Sequence, residues 1–244
     1  MDRCDFLPVS AEEMHERGWW WYDALVVGGD AYVDHPSFGT AVISRVLEAE
    51  GLRVAVLAQP DWHDAEAFRA MGRPRLGVFI GAGNLDSMVA HYTAAKRRRS
   101  EDFYSPGKRT GCRPARAAIV YCTRAREAFG PDGPIILGSL EASLRRFAHY
   151  DYWDDSVRRA ILFDAPADLL VYGMGEAATI EIAHRLKKKQ SVHTMTDIPG
   201  TGYITRDPSV CKFDHITLPS FEAVRDATRL YAEATRNESA EHAP

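Results

Sequence analysis

Apolar positions along this chain follow two alternating patterns. Ala24-Leu-Val-Val-Gly28-Gly29 is a continuous apolar run of the length expected for a strand buried on both faces. From Phe38 to Glu50, Val42, Ile43, Val46, Leu47 and Ala49 recur at helical spacing, and Gly51 supplies a C-terminal stop. The run from Arg53 to Gln59 reads as a second strand, which completes a βαβ unit with a right-handed crossover and a parallel sheet. The alternation continues through a helix over 65–71, a strand over 76–80, a helix from 85 toward 95, a helix over 116–129 and a strand over 134–138. A fifth strand over 168–173 leads into an amphipathic helix over 176–188, whose terminal Lys187 and Lys188, followed by Lys189, suit the negative end of the helix dipole. The predicted fold is α/β, a doubly wound, flavodoxin-like five-stranded parallel sheet. Beyond Gly200 the pattern becomes irregular, with a last helical stretch over 219–236. Residues 1–195 are therefore expected to form the α/β domain, and 196–244 an irregular and helical extension.

Two segments break the alternation. Lys96-Arg-Arg-Arg99 through Lys108, Arg109 and Arg113 is rich in Lys, Arg, Gly and Pro, and reads as a long excursion rather than a domain boundary; Lys96 to Arg99 could touch phosphate but is read as a solvated loop. The run from Ser139 to Asp155 packs Phe147, Tyr150, Tyr152 and Trp153 among Arg145, Arg146, His149 and three aspartates. Aromatics at that density need burial or a partner, while the charges need water, ions or one another. This run reads as a site wall or a docking surface.

Composition narrows the class. A chain of 244 residues, 45% hydrophobic and 26% charged, suits one large globular domain with room for a small appendage. A net charge of -4 gives no general attraction to nucleic acid. No apolar run approaches the about 18 residues of a membrane-spanning helix. The start, Met1-Asp-Arg-Cys-Asp5, lacks the basic and apolar regions of a signal peptide. Cys4, Cys112, Cys122 and Cys211 lie far apart in no repeated spacing, so reduced thiols and a cytoplasmic location are expected.

In doubly wound sheets, ligands bind beyond the carboxyl ends of the strands. The residues predicted there are Asp30, Asp34 and His35 after the first strand, Asp61 and His63 after the second, and Asn84 and Asp86 after the third. Glu141, Arg145, Arg146 and His149 follow the fourth strand, and Glu176 follows the fifth. Asp30, Asp34, His35, Asp61 and His63 could meet over the first two strand ends and hold a divalent ion, as in a metal-dependent hydrolase or a stand-alone ligand-binding module. The competing reading makes each aspartate a helix or turn cap, since no HExxH or CxxC spacing supports a metal. Arg145 and Arg146 are read either as ligand contacts or as partners of Asp151, Asp154 and Asp155. Glu176 is read chiefly as a helix-dipole partner. Neither GxGxxG nor GxxxxGK[ST] follows the first strand, so the glycine pattern for phosphate binding is poor.

A set of longer matches then identifies a family. Gly29-Asp-Ala-Tyr-Val-Asp-His-Pro-Ser-Phe-Gly39, Ala58-Gln-Pro-Asp-Trp62, Gly83-Asn-Leu-Asp-Ser-Met88, Glu141-Ala-Ser-Leu-Arg-Arg146 and Ala148-His-Tyr-Asp-Tyr-Trp153 resemble the N-terminal domain of YgiQ-type radical SAM proteins. The resemblance runs from Phe6 to Lys189 and departs at Ser139, where the family's strand end reads Gly-Gly. It implies a cobalamin-binding-like α/β domain placed ahead of a radical SAM barrel, in cis or as a separate chain. That barrel would hold a 4Fe-4S iron-sulfur cluster and S-adenosylmethionine. The cluster needs three thiolates in a C-x-x-x-C-x-x-C loop, and the chain has none. The chain alone is therefore expected to bind neither cluster nor S-adenosylmethionine, to carry no catalytic residue, and to be inactive. The cobalamin signature D-x-H-x-x-G is also incomplete: Asp34 and His35 are adjacent, and Asp61-Trp-His63 meets Glu66 where the glycine belongs. Histidine ligation of cobalt is not expected, and cobalamin is the lesser expectation.

Overall fold

A computed structural model describes residues 6–240; Cys4 and the start of the chain lie outside the described residues. In chain order the elements are α1 (Ala11–Glu16), β1 (Ala24–Gly28), α2 (Gly39–Ala49), β2 (Val54–Ala58), α3 (Glu66–Ala70), β3 (Gly77–Gly81), α4 (Ser87–His91) and α5 (Ala117–Phe129). There follow β4 (Ile135–Leu137), α6 (Ser139–Leu144), β5 (His149–Asp151), β6 (Ser156–Arg158), β7 (Leu169–Val171), α7 (Glu176–Lys187), β8 (Thr201–Gly202), α8 (Phe221–Asp226) and α9 (Thr228–Ala240).

The main sheet has the order β2-β1-β3-β4-β7-β8. Its first five strands pair in parallel and are the five predicted runs, four of them trimmed at their ends and β3 shifted by one residue. Strand alternation divides the core in two. Leu25, Val27, Val78, Ile80, Leu137 and Leu170 face α3 and α5, while Val26, Val56, Phe79, Ile136 and Val171 face α2 and α7. Helices cover both faces, as the unbroken apolar character of the strands requires.

The structure departs from expectation in four places. β8 adds an antiparallel edge strand where the sequence reads as irregular, because Thr201 and Gly202 pair with Val171 and Leu170. The fourth helix is only Ser87–His91, since Asp86 caps its start and Tyr92 turns out of helical conformation. The run after β4 is not one loop: it forms α6 and then the hairpin β5–β6, in a separate two-stranded sheet. The last helical stretch breaks at Ala227, whose extended backbone separates α8 from α9.

Candidate functional site

Reversal of strand order around β1 places the switch point of the sheet between β1 and β3. A cavity of about 270 Å³ opens at their carboxyl ends and extends under β4 and β7. It lies between the sheet and the pair α2 and α7, with Val26, Phe79, Ile136 and Val171 as one wall and Val42 and Ile43 of α2 as the other. Val42 and Ile43 are only half-buried although both belong to the apolar face of their helix. Thr40, Asn84, Ser139, Glu176 and Thr179 supply the polar part of the lining.

Tight backbone geometry shapes the floor and rim. A Cβ on Gly29 would lie 2.0 Å from the Ala82 carbonyl oxygen, so the backbone at the end of β1 approaches the segment after β3 as only glycine allows. Ser139 holds a left-handed φ of 73°, a conformation that favours glycine. Its Oγ accepts a hydrogen bond from the Ala82 N–H at 3.0 Å, tying β4's end to β3's.

Of the predicted site residues, Asn84 and Glu176 line this cavity. Asn84 is also occupied structurally: its N–H donates to Asp30 Oδ2 at 2.7 Å and its Nδ2 donates to the Ser37 carbonyl at 2.9 Å. Asp30 is buried behind it, and its other oxygen accepts from Arg113 Nη1 at 2.7 Å. Burial raises the Asp30 pKa above its ordinary range, and the Arg113 guanidinium pulls against that rise.

Arg113, near the end of the basic excursion, does not face solvent. Its side chain is fully buried, and it holds Asp102 as well as Asp30, with Nη2 2.9 Å from Asp102 Oδ2. Ser105 donates to Asp102 at 2.8 Å and accepts from Gln59 Nε2 at 2.7 Å, so the excursion is clamped to the ends of β1 and β2. A lone arginine in a Lys, Arg, Gly and Pro-rich stretch gives no periodic signal of burial. The available hint was the matching pair of carboxylates, Asp30 and Asp102, far apart in sequence.

The remaining predicted residues divide into local groups. Asp34 pairs with Arg45 of α2, and His35 Nδ1 accepts the Ser37 N–H at 3.1 Å. Asp61 and His63 pair with each other on an exposed turn, with the ring of His63 stacked on Trp62. The Asp61 pKa falls because the His63 backbone N–H and side chain both bond its carboxylate. These five acids and histidines therefore do not converge, and no group of three or more potential metal ligands is found among the described residues. The metal reading of that set is corrected by the separate partner each side chain has.

Glu141, Arg145 and His149 do come together, on the opposite side of the sheet from the cavity. They border a small gap of about 10 Å³, shared with Arg116 and Asp151. Asp86 caps α4 by accepting from the Met88 N–H at 2.9 Å and also pairs with Arg145. Glu141 is almost fully buried: Oε2 accepts from the Ser87 N–H at 3.3 Å, while Oε1 has no partner among the described residues. Burial first, and then neighbouring Asp86, raises its pKa. His149 has its pKa lowered by burial, and its Nδ1 lies 3.1 Å from the Phe147 carbonyl oxygen.

Neither arginine pairs as the sequence suggests. Asp151 and Asp154 are taken by Arg116, at 2.9 and 2.6 Å, and Asp155 accepts from the Tyr150 hydroxyl at 2.5 Å. Arg146 instead reaches Glu238 of α9 at 2.6 Å and lies over the Tyr172 ring. This arginine anchors the C-terminal helix.

An iron-sulfur cluster does not fit the residues present. Cys122 is fully buried in α5, where burial pushes its thiol pKa up, whereas Cys112 and Cys211 are partly exposed on separate loops. Cobalt ligation by histidine does not fit the cavity either, since none of its lining residues is a histidine.

Fold and cavity together define a doubly wound α/β domain with a ligand-type crevice at its topological switch point. The radical SAM N-terminal family model matches residues 6–244, and the chain belongs to that family. It is 53% identical over 234 residues to a UPF0313 protein of Clostridium botulinum strain 657, covering 96% of this chain and 36% of the relative. A UPF0313 protein of Clostridium perfringens strain ATCC 13124 is 49% identical over 244 residues, covering 100% of this chain and 37% of the relative. The chain thus spans little more than a third of the length of these curated relatives. Among solved structures, the radical S-adenosylmethionine methyltransferase TsrM from Kitasatospora setae, with cobalamin and a [4Fe-4S] cluster bound, is 20% identical with a TM-score of 0.47. That match covers 75% of this chain and 27% of TsrM.

Proposed function

We propose that this chain is the accessory N-terminal domain of a YgiQ-like radical SAM iron-sulfur protein, with the crevice at the carboxyl edge of its sheet turned toward substrate or toward a radical SAM barrel. The observation that carries this reading is the cavity at the switch point, whose walls are apolar side chains and strand-end backbone rather than thiolates. In this reading residues 1–195 form the α/β body, 196–244 an extension toward the barrel, and the protein works in the cytoplasm. The 4Fe-4S cluster and S-adenosylmethionine belong to the barrel, since the cysteines here cannot gather three thiolates. No helix of the described residues is long and apolar enough to cross a membrane.

The test is chemical. The purified chain is supplied with iron, sulfide, a reductant and S-adenosylmethionine, and deoxyadenosine is measured. None is expected from this chain alone, whereas a full-length relative treated identically should produce it. Cleavage of S-adenosylmethionine by the isolated chain would overturn the accessory role.

A further inference from the structure

The cavity's electrostatics narrow what it can hold. No lysine, arginine or histidine is among its lining residues, and its one charged group is the Glu176 carboxylate at the first turn of α7. Asn84 and Ser139 already spend hydrogen bonds on backbone groups. Among the described residues no donor reaches the Glu176 carboxylate, and the hydroxyls of Thr40 and Thr179 are likewise unmatched. Glu176 also offsets the positive end of the α7 dipole, one of the features of the rim that would attract an anion.

Below this rim the walls are hydrocarbon. Val26, Phe79, Ile136 and Val171 are at most a few per cent exposed, and Val42 and Ile43 present apolar surface to open space. Apolar walls in contact with water favour an occupant that removes that contact. A phosphate or carboxylate ligand would meet no cation here and would face Glu176 across a low-dielectric rim.

We propose that the cavity binds a predominantly apolar, ring-sized ligand carrying a cationic or N–H-donating head. Glu176 receives that head, and the hydroxyls of Thr40 and Thr179 belong to the same lining. This inference rests on the reading of the carboxyl edge as the ligand-bearing face of the accessory domain, and it adds the chemical class of the ligand.

Two matched probes test it on the full chain: naphthylmethylamine and naphthoate, which share a ring system and differ in the sign of the head group. Titration calorimetry should show the amine binding about tenfold more tightly than the acid, the difference a charged hydrogen bond supplies. Glu176→Gln should abolish that preference while keeping the wild-type circular dichroism spectrum, because the side chain is only half-buried at a helix start. Ile43→Trp should weaken binding of the amine by filling the space α2 leaves. Equal affinity for the two probes, preference for naphthoate, or amine binding unchanged by Glu176→Gln would each overturn the proposal. If neither probe binds, the ligand class is refuted, while the accessory role stands or falls separately on the deoxyadenosine assay, which requires no cavity ligand.

Discussion

On the side of the sheet covered by α4 and α5, the strand ends are closed by Arg113, which spans Asp30 and Asp102, and by Glu141 beneath Ser87. On the side covered by α2 and α7, the same strand ends are left open, and half-buried Val42 and Ile43 face a cavity. The two faces arise from alternate residues of the same strands, so strand propensity cannot explain the difference. What differs is the connection laid across each. The long segment between α4 and α5 returns over one side and seals it with a buried ion pair, whereas the β1–α2 and β7–α7 connections stop at the rim of the other. The sealed face is a structural clamp, and the open face is where binding can occur.

The sealed face should be sensitive to substitution and the open face tolerant. Arg113→Met should destabilise the chain by about 3–5 kcal/mol, because Asp30 and Asp102 would remain buried without a counter-charge. Urea denaturation measures it, and a loss under about 1 kcal/mol would mean the clamp is not what closes that face. The two apolar layers should then separate. Phe68→Ala, in the filled layer against α5, should cost about 3–5 kcal/mol, while Val42→Ala, bordering open space, should cost about 1 kcal/mol or less. Equal losses would show the two faces to be equally well packed.

The smallest effect concerns pH. Glu141 has a pKa raised above its ordinary 4.5, so the unfolded chain gives up this proton at lower pH than the folded one. As pH rises past 4.5 the folded state is penalised until its own pKa is passed. Glu141→Gln should therefore leave stability near that of wild type in acid and raise it toward neutrality, as read by thermal melts across pH. A stabilisation independent of pH would assign the effect to packing instead.

Much of this architecture can be read from the chain. The five parallel strands and the helices α2, α5 and α7 follow from apolar runs and helical spacing, because burial on both faces leaves no room for polar residues in the strands. The hairpin β5–β6 is less legible: His149-Tyr-Asp151 and Ser156-Val-Arg158 are polar, short and held by each other rather than by the core. β8 is only two residues long and exists because β7 offers an unpaired edge. Of the residues the sequence singles out, Asn84 and Glu176 line the cavity at the carboxyl edge of the sheet. The sequence also groups Asp34, His35, Asp61 and His63, which the fold sends to separate local partners.

Hydrophobic periodicity by itself determined the layers, the parallel sheet and the edge at which loops collect, since those are consequences of which residues avoid water. Tertiary structure alone decided which charges are neutralised and which face outward. Nothing in the spacing around Arg113 or Glu176 tells that one is enclosed between two aspartates and the other borders an apolar cavity. The reason is that an ion pair depends on where distant segments meet in space, and no local spacing encodes that meeting.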